Sequence, residues 1–194
     1  FRRVLFRSAI LAGDGLLTGA FQLLSLSQLG LSEKVLLMQQ LAKAAGNQGM
    51  VAGQMGDIEG EKVSLTLEEL AAVHEKKTGA LIEFALIAGG ILANQTEEVI
   101  GLLTQFAHHY GLAFQIRDDL LDATSTEADL GKKVGRDEAL NKSTYPALLG
   151  IAGAKDALTH QLAEGSAVLE KIKANVPNFS EEHLRSEERR VGKE

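Results

Sequence analysis

The sequence predicts an all-α fold, a large bundle of long helices, and three observations support this. The 194 residues include only 2 Pro, which suits long uninterrupted helices. Apolar residues recur at helical spacing over several long segments, and no segment shows the alternation that is typical of a strand. Hydrophobic residues make up 45% of the chain and charged residues 24%, a composition typical of a globular domain with a sizeable core.

The first half of the chain predicts two helical segments. Residues 9–29 form a mostly apolar helix that we expect to be buried nearly all round. Ser32 is a plausible N-cap of the next segment, in which helical spacing continues over residues 35–55. Glycines recur on one face of that segment at positions 46, 49, 53, 56 and 60. Because Gly costs about 1 kcal/mol relative to Ala in a helix, the stripe indicates close approach of a neighbouring helix or of a ligand.

The second half predicts longer helices separated by polar loops. Residues 57–65 form a loop, and Thr66 and Glu69 then form a capping box ahead of a helix over residues 67–93. Thr96 caps the following helix, and each of these two helices is roughly 40 Å long. The helix capped by Thr96 covers residues 97–123, and a polar loop follows at residues 124–140. Two further helices are predicted at residues 145–153 and 155–174.

Both ends of the chain look foreign to the rest. Residues 1–8 and 185–194 resemble a translated sequencing adapter, so we assign a single domain to residues 9–184. The two flanks hold seven of the 20 Lys and Arg residues and three of the 26 Asp and Glu residues. The domain therefore carries 13 basic and 23 acidic side chains. This acidity argues against a nucleic-acid partner, which would bind through its phosphates.

The absence of cysteine excludes several kinds of site. With 0 Cys the chain has no disulfide, thiolate metal site or cysteine nucleophile, and it is compatible with a reducing cytoplasm. No stretch reaches the roughly 20 apolar residues that span a bilayer, and the most apolar run, residues 80–93, is interrupted by Glu83. The sequence therefore predicts a cytoplasmic protein that does not span a membrane.

The strongest chemical signal is an acidic helix face in the segment QIRDDLLD at residues 115–122. Gln115, Asp118, Asp119 and Asp122 share one arc of about 100° on a helix. Carboxylates this close repel one another, and no Lys or Arg is interleaved on the face. A bound divalent cation therefore explains the pattern better than a solvated acidic face. The hard oxygen donors favour Mg²⁺ over Zn²⁺, and Mg²⁺ typically combines one or two carboxylates with substrate phosphates, which indicates a diphosphate ligand.

Lysines elsewhere in the chain would supply the positive charge that a diphosphate needs. Lys77 and Thr78 lie midway along the predicted helix that precedes the acidic one. Lys132 lies in a glycine-flanked loop after the acidic helix, and Lys142 follows ten residues later. Each lysine alone is typical of a solvated surface. Their combination with an acidic metal motif indicates a site that could close over phosphate.

Four ring side chains near these motifs are given no role in the site. His74 lies one turn before Lys77, and His108 lies two turns before Gln115. We expect both histidines to be structural, because a lone histidine on an apolar helix face is more often packed than catalytic. The two aromatic side chains predicted as core are Phe106 and Phe114.

Together these segments resemble the trans-isoprenyl diphosphate synthases, in the form of their bacterial farnesyl diphosphate synthase members. The resemblance covers essentially all of residues 9–184. The acidic segment, preceded by Phe114 and Gln115, is similar to the family's second aspartate-rich motif. Four further segments match in order and at family spacing: GQMGD at 53–57, KTG at 77–79, GK at 131–132 and KSTYP at 142–146.

The resemblance implies the isoprenoid synthase type of helical bundle and a Mg²⁺-dependent prenyltransferase, expected as a homodimer. Such an enzyme condenses an allylic diphosphate, dimethylallyl or geranyl, with isopentenyl diphosphate to give farnesyl diphosphate. The allylic C–O bond ionises, and the double bond of isopentenyl diphosphate attacks the resulting cation. Geranyl or geranylgeranyl diphosphate is an alternative product, and a non-catalytic regulatory subunit is an alternative function. A terpene cyclase is disfavoured because its second metal motif differs.

The resemblance also implies a metal site that this chain fills only in part. Asp118 is expected to bind Mg²⁺ directly, and Asp119 and Asp122 to act through metal-bound water or through the other ligands. The family's first aspartate-rich motif and its isopentenyl diphosphate site have no counterpart before residue 9. We therefore expect a C-terminal part of the synthase that is inactive and poorly folded on its own.

The remaining residues are assigned to the allylic substrate by the same resemblance. Lys77, Lys132 and Lys142 are expected to contact the diphosphate. The oxygens of Thr78 and Gln115 are expected to face the cation at C1. Gln54 and Asp57 are expected to line the same cavity.

Overall fold

The computed structural model describes residues 2–124 and 142–192, and these residues form helices joined by turns and short connections. No strand occurs among the described residues, which confirms the predicted all-α fold. The elements are α1 (Arg2–Leu26), α2 (Leu31–Ala45), α3 (Met50–Gly60), α4 (Leu67–His74), a π-helical turn (Glu75–Gly79), α5 (Ala80–Leu92), α6 (Glu97–Thr124), α7 (Tyr145–Asn175) and α8 (Glu182–Gly192). The loop that was predicted to carry Lys132 lies outside the described residues.

The chain divides into two compact units, Phe1–Ala42 and Lys43–Glu194. In the first unit, the Lys34 ammonium donates to the Ser25 carbonyl at 2.9 Å and ties the start of α2 to the end of α1. Helix α1 is exposed along most of its length, including Leu16, which is 77% exposed. The prediction that residues 9–29 are buried nearly all round is therefore wrong. An apolar helix is buried only where neighbours cover it, and α1 is left uncovered.

Helix α1 also bears on the membrane prediction. The stretch Leu5–Leu26 has 22 residues, and by length and composition it could cross a bilayer. None of this stretch is buried. The expectation that no segment reaches this length does not hold for α1. Length and composition are shared by bilayer-crossing helices and by helices that other protein segments cover, so they do not separate the two.

The second unit is built around the pairing of α6 with α7. Val99, Leu103 and Phe106 recur at helical spacing on α6 and pack against a matching stripe on α7, formed by Val168, Leu169 and Ile172. Phe106 is buried in this core as predicted, whereas Phe114 is 45% exposed, which corrects its assignment to the core. Gly150 has a φ of 72° and interrupts the helical backbone of α7, so the two predicted helices are present but meet at Gly150 and not after residue 153.

The boundaries near the glycine stripe differ from the prediction. Helix α2 begins at Leu31, so Ser32 lies inside its first turn and not at the N-cap. The segment 35–55 is broken between Ala45 and Met50, where a turn contains Gly46 and Gly49. Glycine supplies the backbone freedom that turns favour. Helix α3 then continues to Gly60, which places Asp57 on a helix and not in the predicted loop.

The predicted helix over residues 67–93 is interrupted at its centre. Its start is as predicted, because the Glu69 amide donates to Thr66 Oγ1 at 3.2 Å and the Thr66 amide donates to Glu69 Oε2 at 2.8 Å. After α4, however, the chain forms the π-turn before α5 begins. A π-turn uses i→i+5 hydrogen bonds and is frequent at functional sites. It contains both Lys77 and Thr78.

Candidate active site

The π-turn packs against α3 on one side and α6 on the other, and glycines allow both contacts. A Cβ atom on Gly53 of α3 would lie 2.5 Å from Lys77 Cα and closer still to the Lys77 backbone nitrogen. A Cβ atom on Gly111 of α6 would lie 3.1 Å from Gly79 Cα. The glycine stripe at Gly53 therefore reflects close approach of a neighbouring element, one of the two interpretations of the sequence.

One turn after Gly53, Asp57 receives two lysines on a single oxygen. Lys77 Nζ donates to Asp57 Oδ2 at 2.9 Å, and Lys142 Nζ donates to the same atom at 2.8 Å. Lys142 Nζ also lies 3.3 Å from Oε1 of Glu61, the residue that directly follows α3. The side chains of Asp57 and Lys142 are only 16% and 17% exposed, so this charge cluster is shielded from most solvent.

The charges of this cluster stabilise one another. Burial alone would raise the pKa of Asp57, but hydrogen bonds from Lys142 and Lys77 and their positive charges lower it below its ordinary value. Burial alone would lower the pKa of Lys142, but its contacts with Asp57 and then Glu61 raise it. Both groups are therefore charged at neutral pH, and the two ammonium groups are held beside one anionic oxygen.

One turn after Gly111, Gln115 connects the π-turn to the acidic face of α6. Thr78 Oγ1 donates to Gln115 Oε1 at 3.0 Å. Gln115 Nε2 in turn donates to Asp119 Oδ1 at 3.4 Å. Since Lys77 and Thr78 are consecutive, the cluster around Asp57 and the chain of polar groups on α6 meet at the π-turn.

Asp119 points into the protein and is enclosed by three elements. It is 5% exposed, and its Oδ2 accepts a hydrogen bond from the Tyr145 amide, at the start of α7, at 3.0 Å. The same oxygen lies 3.6 Å from His74 Nε2 at the end of α4. The His74 and Tyr145 rings stack with centroids 6.0 Å apart. Burial, followed by the negative charge of Asp119, raises the pKa of Tyr145 to about 12.

The other two carboxylates of the acidic face are more accessible. Asp118 is exposed and Asp122 is half-buried, although all three aspartates lie within two turns of α6. Within residues 2–124 and 142–192, no group of three His, Asp or Glu side chains is placed to hold a metal ion. The assignment of Asp118, Asp119 and Asp122 to a metal site stays a prediction.

The structure brings most of the predicted substrate residues together. These are Asp57, Lys77, Thr78, Gln115 and Lys142. Gln54 lies on an exposed part of α3, and Lys132 lies outside the described residues. Sequence reasoning missed Glu61 and the packing of His74 against Asp119. Glu61 follows Asp57 by four residues, so a predicted helix that continued past residue 55 would have placed the two on one face. The position of His74 depends on tertiary packing.

The chain is similar to known proteins over most of its length. The chain is 45% identical over 165 residues to the farnesyl diphosphate synthase of Bacillus subtilis, covering 84% of this chain and 56% of that protein. It is 50% identical over 161 residues to the farnesyl diphosphate synthase of Geobacillus stearothermophilus, covering 79% and 53%. The chain thus spans about half the length of the curated relatives it matches.

A solved structure and a family model also match this chain. The Helicobacter pylori geranyltransferase, solved in complex with magnesium and isoprenyl diphosphate, superimposes with a TM-score of 0.81 at 32% identity, over 95% of this chain and 59% of that one. The polyprenyl synthetase family model matches residues 2–177. This match includes most of residues 1–8 and ends before residues 185–194, and whether these flanks are foreign stays a prediction. The chain belongs to the polyprenyl synthetase family.

Proposed function

We propose that the protein is a Mg²⁺-dependent prenyltransferase that condenses dimethylallyl or geranyl diphosphate with isopentenyl diphosphate and yields farnesyl diphosphate. One observation carries the proposal: the Nζ atoms of Lys77 and Lys142 reach the same anionic oxygen of Asp57, at 2.9 and 2.8 Å. Two ammonium groups that share one oxygen can bind one phosphate group in the same way. The names of the relatives in Bacillus and Geobacillus support this substrate class and product.

The lysines bind and orient the allylic diphosphate. Asp57 and Glu61 pair with Lys142, and Asp57 also pairs with Lys77. A diphosphate competes with these carboxylates for the ammonium groups. Gln54 and Lys132 stay predicted contributors to the same site, and the approach of Lys132 would add a third positive charge.

Thr78 and Gln115 face the carbon that becomes positive. Thr78 uses its hydroxyl proton in the 3.0 Å hydrogen bond to Gln115, so its oxygen presents lone pairs to the site. Oxygen lone pairs stabilise an allylic cation without supplying a base that would remove its proton prematurely. The half-buried setting of both side chains limits the water that could capture the cation.

The aspartates of the acidic face are proposed to hold Mg²⁺, Asp118 directly and Asp119 and Asp122 through metal-bound water or through the other ligands. Their carboxylate oxygens fit its hard character, and the described site contains no thiolate. Mg²⁺ supplies positive charge that stabilises the departing diphosphate. The presence of magnesium in the structure of the Helicobacter pylori geranyltransferase supports this choice of metal.

The test is a prenyl-transfer assay with geranyl diphosphate, isopentenyl diphosphate and Mg²⁺, in which released pyrophosphate and the product mass are measured. It is run on the 194-residue chain and on an extended version, in which the N-terminal segment of the Geobacillus stearothermophilus relative precedes residue 9. We expect farnesyl diphosphate from the extended version and none after chelation of Mg²⁺. A folded extended protein that binds pyrophosphate without turnover would contradict the enzyme and support the non-catalytic subunit. A product of another mass would select geranyl or geranylgeranyl diphosphate.

We propose that the protein acts in the cytoplasm as a homodimer. The exposed apolar side chains of α1, such as Leu11 at 69% and Leu16 at 77%, support an association that covers them. Light scattering on the extended version measures the oligomeric state. Replacement of Leu11 and Leu16 by Glu is expected to yield monomers if α1 lies in the interface.

A further inference from the structure

His74 is a buried polar side chain to which the proposed reaction gives no role. It is 5% exposed, and neither ring nitrogen has a hydrogen-bond partner among the described residues. Leaving a buried polar group without a hydrogen-bond partner is unfavourable. A side chain that only filled this space would be more favourable if it were apolar, so the imidazole requires another explanation.

The nearest acceptor explains why the ring is polar. His74 Nε2 lies 3.6 Å from Asp119 Oδ2, slightly beyond hydrogen-bond distance. Hydrogen bonds of this kind are often long in the unliganded state and tighten in the loaded complex. Nε2 donates to a carboxylate both in the neutral ring protonated at Nε2 and in the doubly protonated ring, so the argument does not depend on the charge of His74.

Asp119 transmits the position of His74 to the reacting region. Its second oxygen accepts from Gln115 Nε2, and Gln115 Oε1 accepts from the Thr78 hydroxyl. Stacking of the His74 ring on Tyr145 places the imidazole opposite the amide that also binds Asp119. The Asp119 carboxylate is thus contacted by Gln115, Tyr145 and His74.

We propose that His74 is a positioning residue for the transfer reaction, which holds Asp119 inward and, through Gln115, sets the location of the Thr78 oxygen. This role rests on the proposed function. Asp119 then links α4, α6 and α7, while Asp118 is the proposed direct Mg²⁺ ligand. His74 touches neither substrate nor metal.

Two variants distinguish the contribution of the His74 hydrogen-bond donor from that of its ring. His74→Phe keeps a stacking ring and removes the donor, whereas His74→Gln places an amide donor near the position of Nε2. In the extended version, His74→Phe is expected to lower kcat about 10- to 100-fold. This is the usual loss when the replaced residue orients a side chain of the active site without touching the substrate itself. The KM for isopentenyl diphosphate should change little, and His74→Gln should recover most of kcat. In an Asp119→Asn background the same His74→Phe change should have a smaller effect.

A second measurement does not depend on activity. The Tyr145 amide donates to Asp119 Oδ2, and we expect this bond to protect it from hydrogen exchange. Exchange should therefore quicken in His74→Phe and return toward the wild-type rate in His74→Gln. Asp119→Asn is the positive control. His108→Phe, at an exposed histidine paired with Glu75, is the matched control and should change neither exchange nor kcat.

The outcomes distinguish the two proposals. If the wild-type protein turns over and His74→Phe alters neither kcat nor Tyr145 exchange, the positioning role is wrong and the proposed function stands. If His74→Phe and His74→Gln lower kcat equally while exchange stays normal, the role is also wrong. If the wild type shows no turnover while the Tyr145 amide is protected, the proposed function fails and the reaction role fails with it.

Discussion

Lys142 and Asp57 are 85 residues apart in the sequence, yet Lys142 Nζ donates to Asp57 Oδ2 at 2.8 Å. The contact joins the segment before α7 to the middle of α3. A second contact reinforces it, because the Leu65 amide donates to Ser143 Oγ at 2.9 Å. Lys142 and Ser143 are thereby fixed to α3 and to the connection that follows it.

The Asp57 contact predicts a loss of stability in acid. The lysines lower the folded-state pKa of Asp57, so its contribution is complete above the unfolded value of about 3.9 and is lost as the pH falls through the folded value. The stability advantage of wild type over Asp57→Asn should therefore shrink progressively below about pH 4. Urea unfolding between pH 3 and pH 7 measures it. The exposed neighbour Glu59, changed to Gln, is the control, and an equal pH response in both variants would contradict the assignment.

The close approach at Gly53 predicts a steric effect. Gly53→Ala places a methyl group against the Lys77 backbone, which cannot move as a flexible side chain would. We expect destabilisation of about 1–3 kcal/mol in thermal or urea unfolding. Gly101→Ala, where a Cβ meets no atom within 4 Å, should instead be neutral or stabilising by up to about 1 kcal/mol. Similar changes in stability at both glycines would mean that the contact with the Lys77 backbone does not cause the destabilisation.

The acidic face predicts unequal roles for its accessible carboxylates. In the extended version, Asp118→Ala should lower kcat by about 10²–10³, because the exposed Asp118 is the proposed direct Mg²⁺ ligand. Asp122→Ala should cost less. Steady-state kinetics across a Mg²⁺ titration measures both, with the exposed Asp156→Ala on α7 as the control. Small and equal losses at the two positions would indicate a solvated acidic face.

The π-turn predicts different roles for two neighbouring lysines. Lys77→Ala should raise the KM for the allylic diphosphate more than the KM for isopentenyl diphosphate. Lys77→Arg should recover this only in part, because a planar guanidinium does not replace a compact ammonium group. Lys76 is exposed, and Lys76→Ala is the control. An unchanged allylic KM in Lys77→Ala would remove Lys77 from the site.

Features set by local sequence were predicted well. The capping box of Thr66 and Glu69 and the extent of α6 each depend on residues within a few positions of one another. The co-location of Lys77, Thr78 and Gln115 followed from the family resemblance. Burial of α1 was predicted wrongly, because apolar composition indicates a face that could be covered but does not supply the cover.

The features that were missed depend on tertiary structure or on backbone geometry. The π-turn leaves the apolar spacing of α4 and α5 intact on either side, so periodicity does not reveal it. The approach of His74 to Asp119 requires the packing of α4 against α6, which no local pattern encodes. Phe114 lies on the same helix as Phe106 but projects elsewhere, and only the position of α7 distinguishes the two.

The π-turn also determines which changes in chain length the site can tolerate. Lys77 faces Asp57 on α3 while the next residue, Thr78, faces Gln115 on α6. Deleting one residue between Glu75 and Gly79 would let α4 and α5 join as a regular helix with their packed faces kept, but the side chains left in the segment would change direction, because one position on a helix corresponds to about 100°. Helix content and much of the hydrophobic core would survive, whereas one of the two side chains would lose its partner. Insertions and deletions in this segment are therefore more damaging to the site than to the fold.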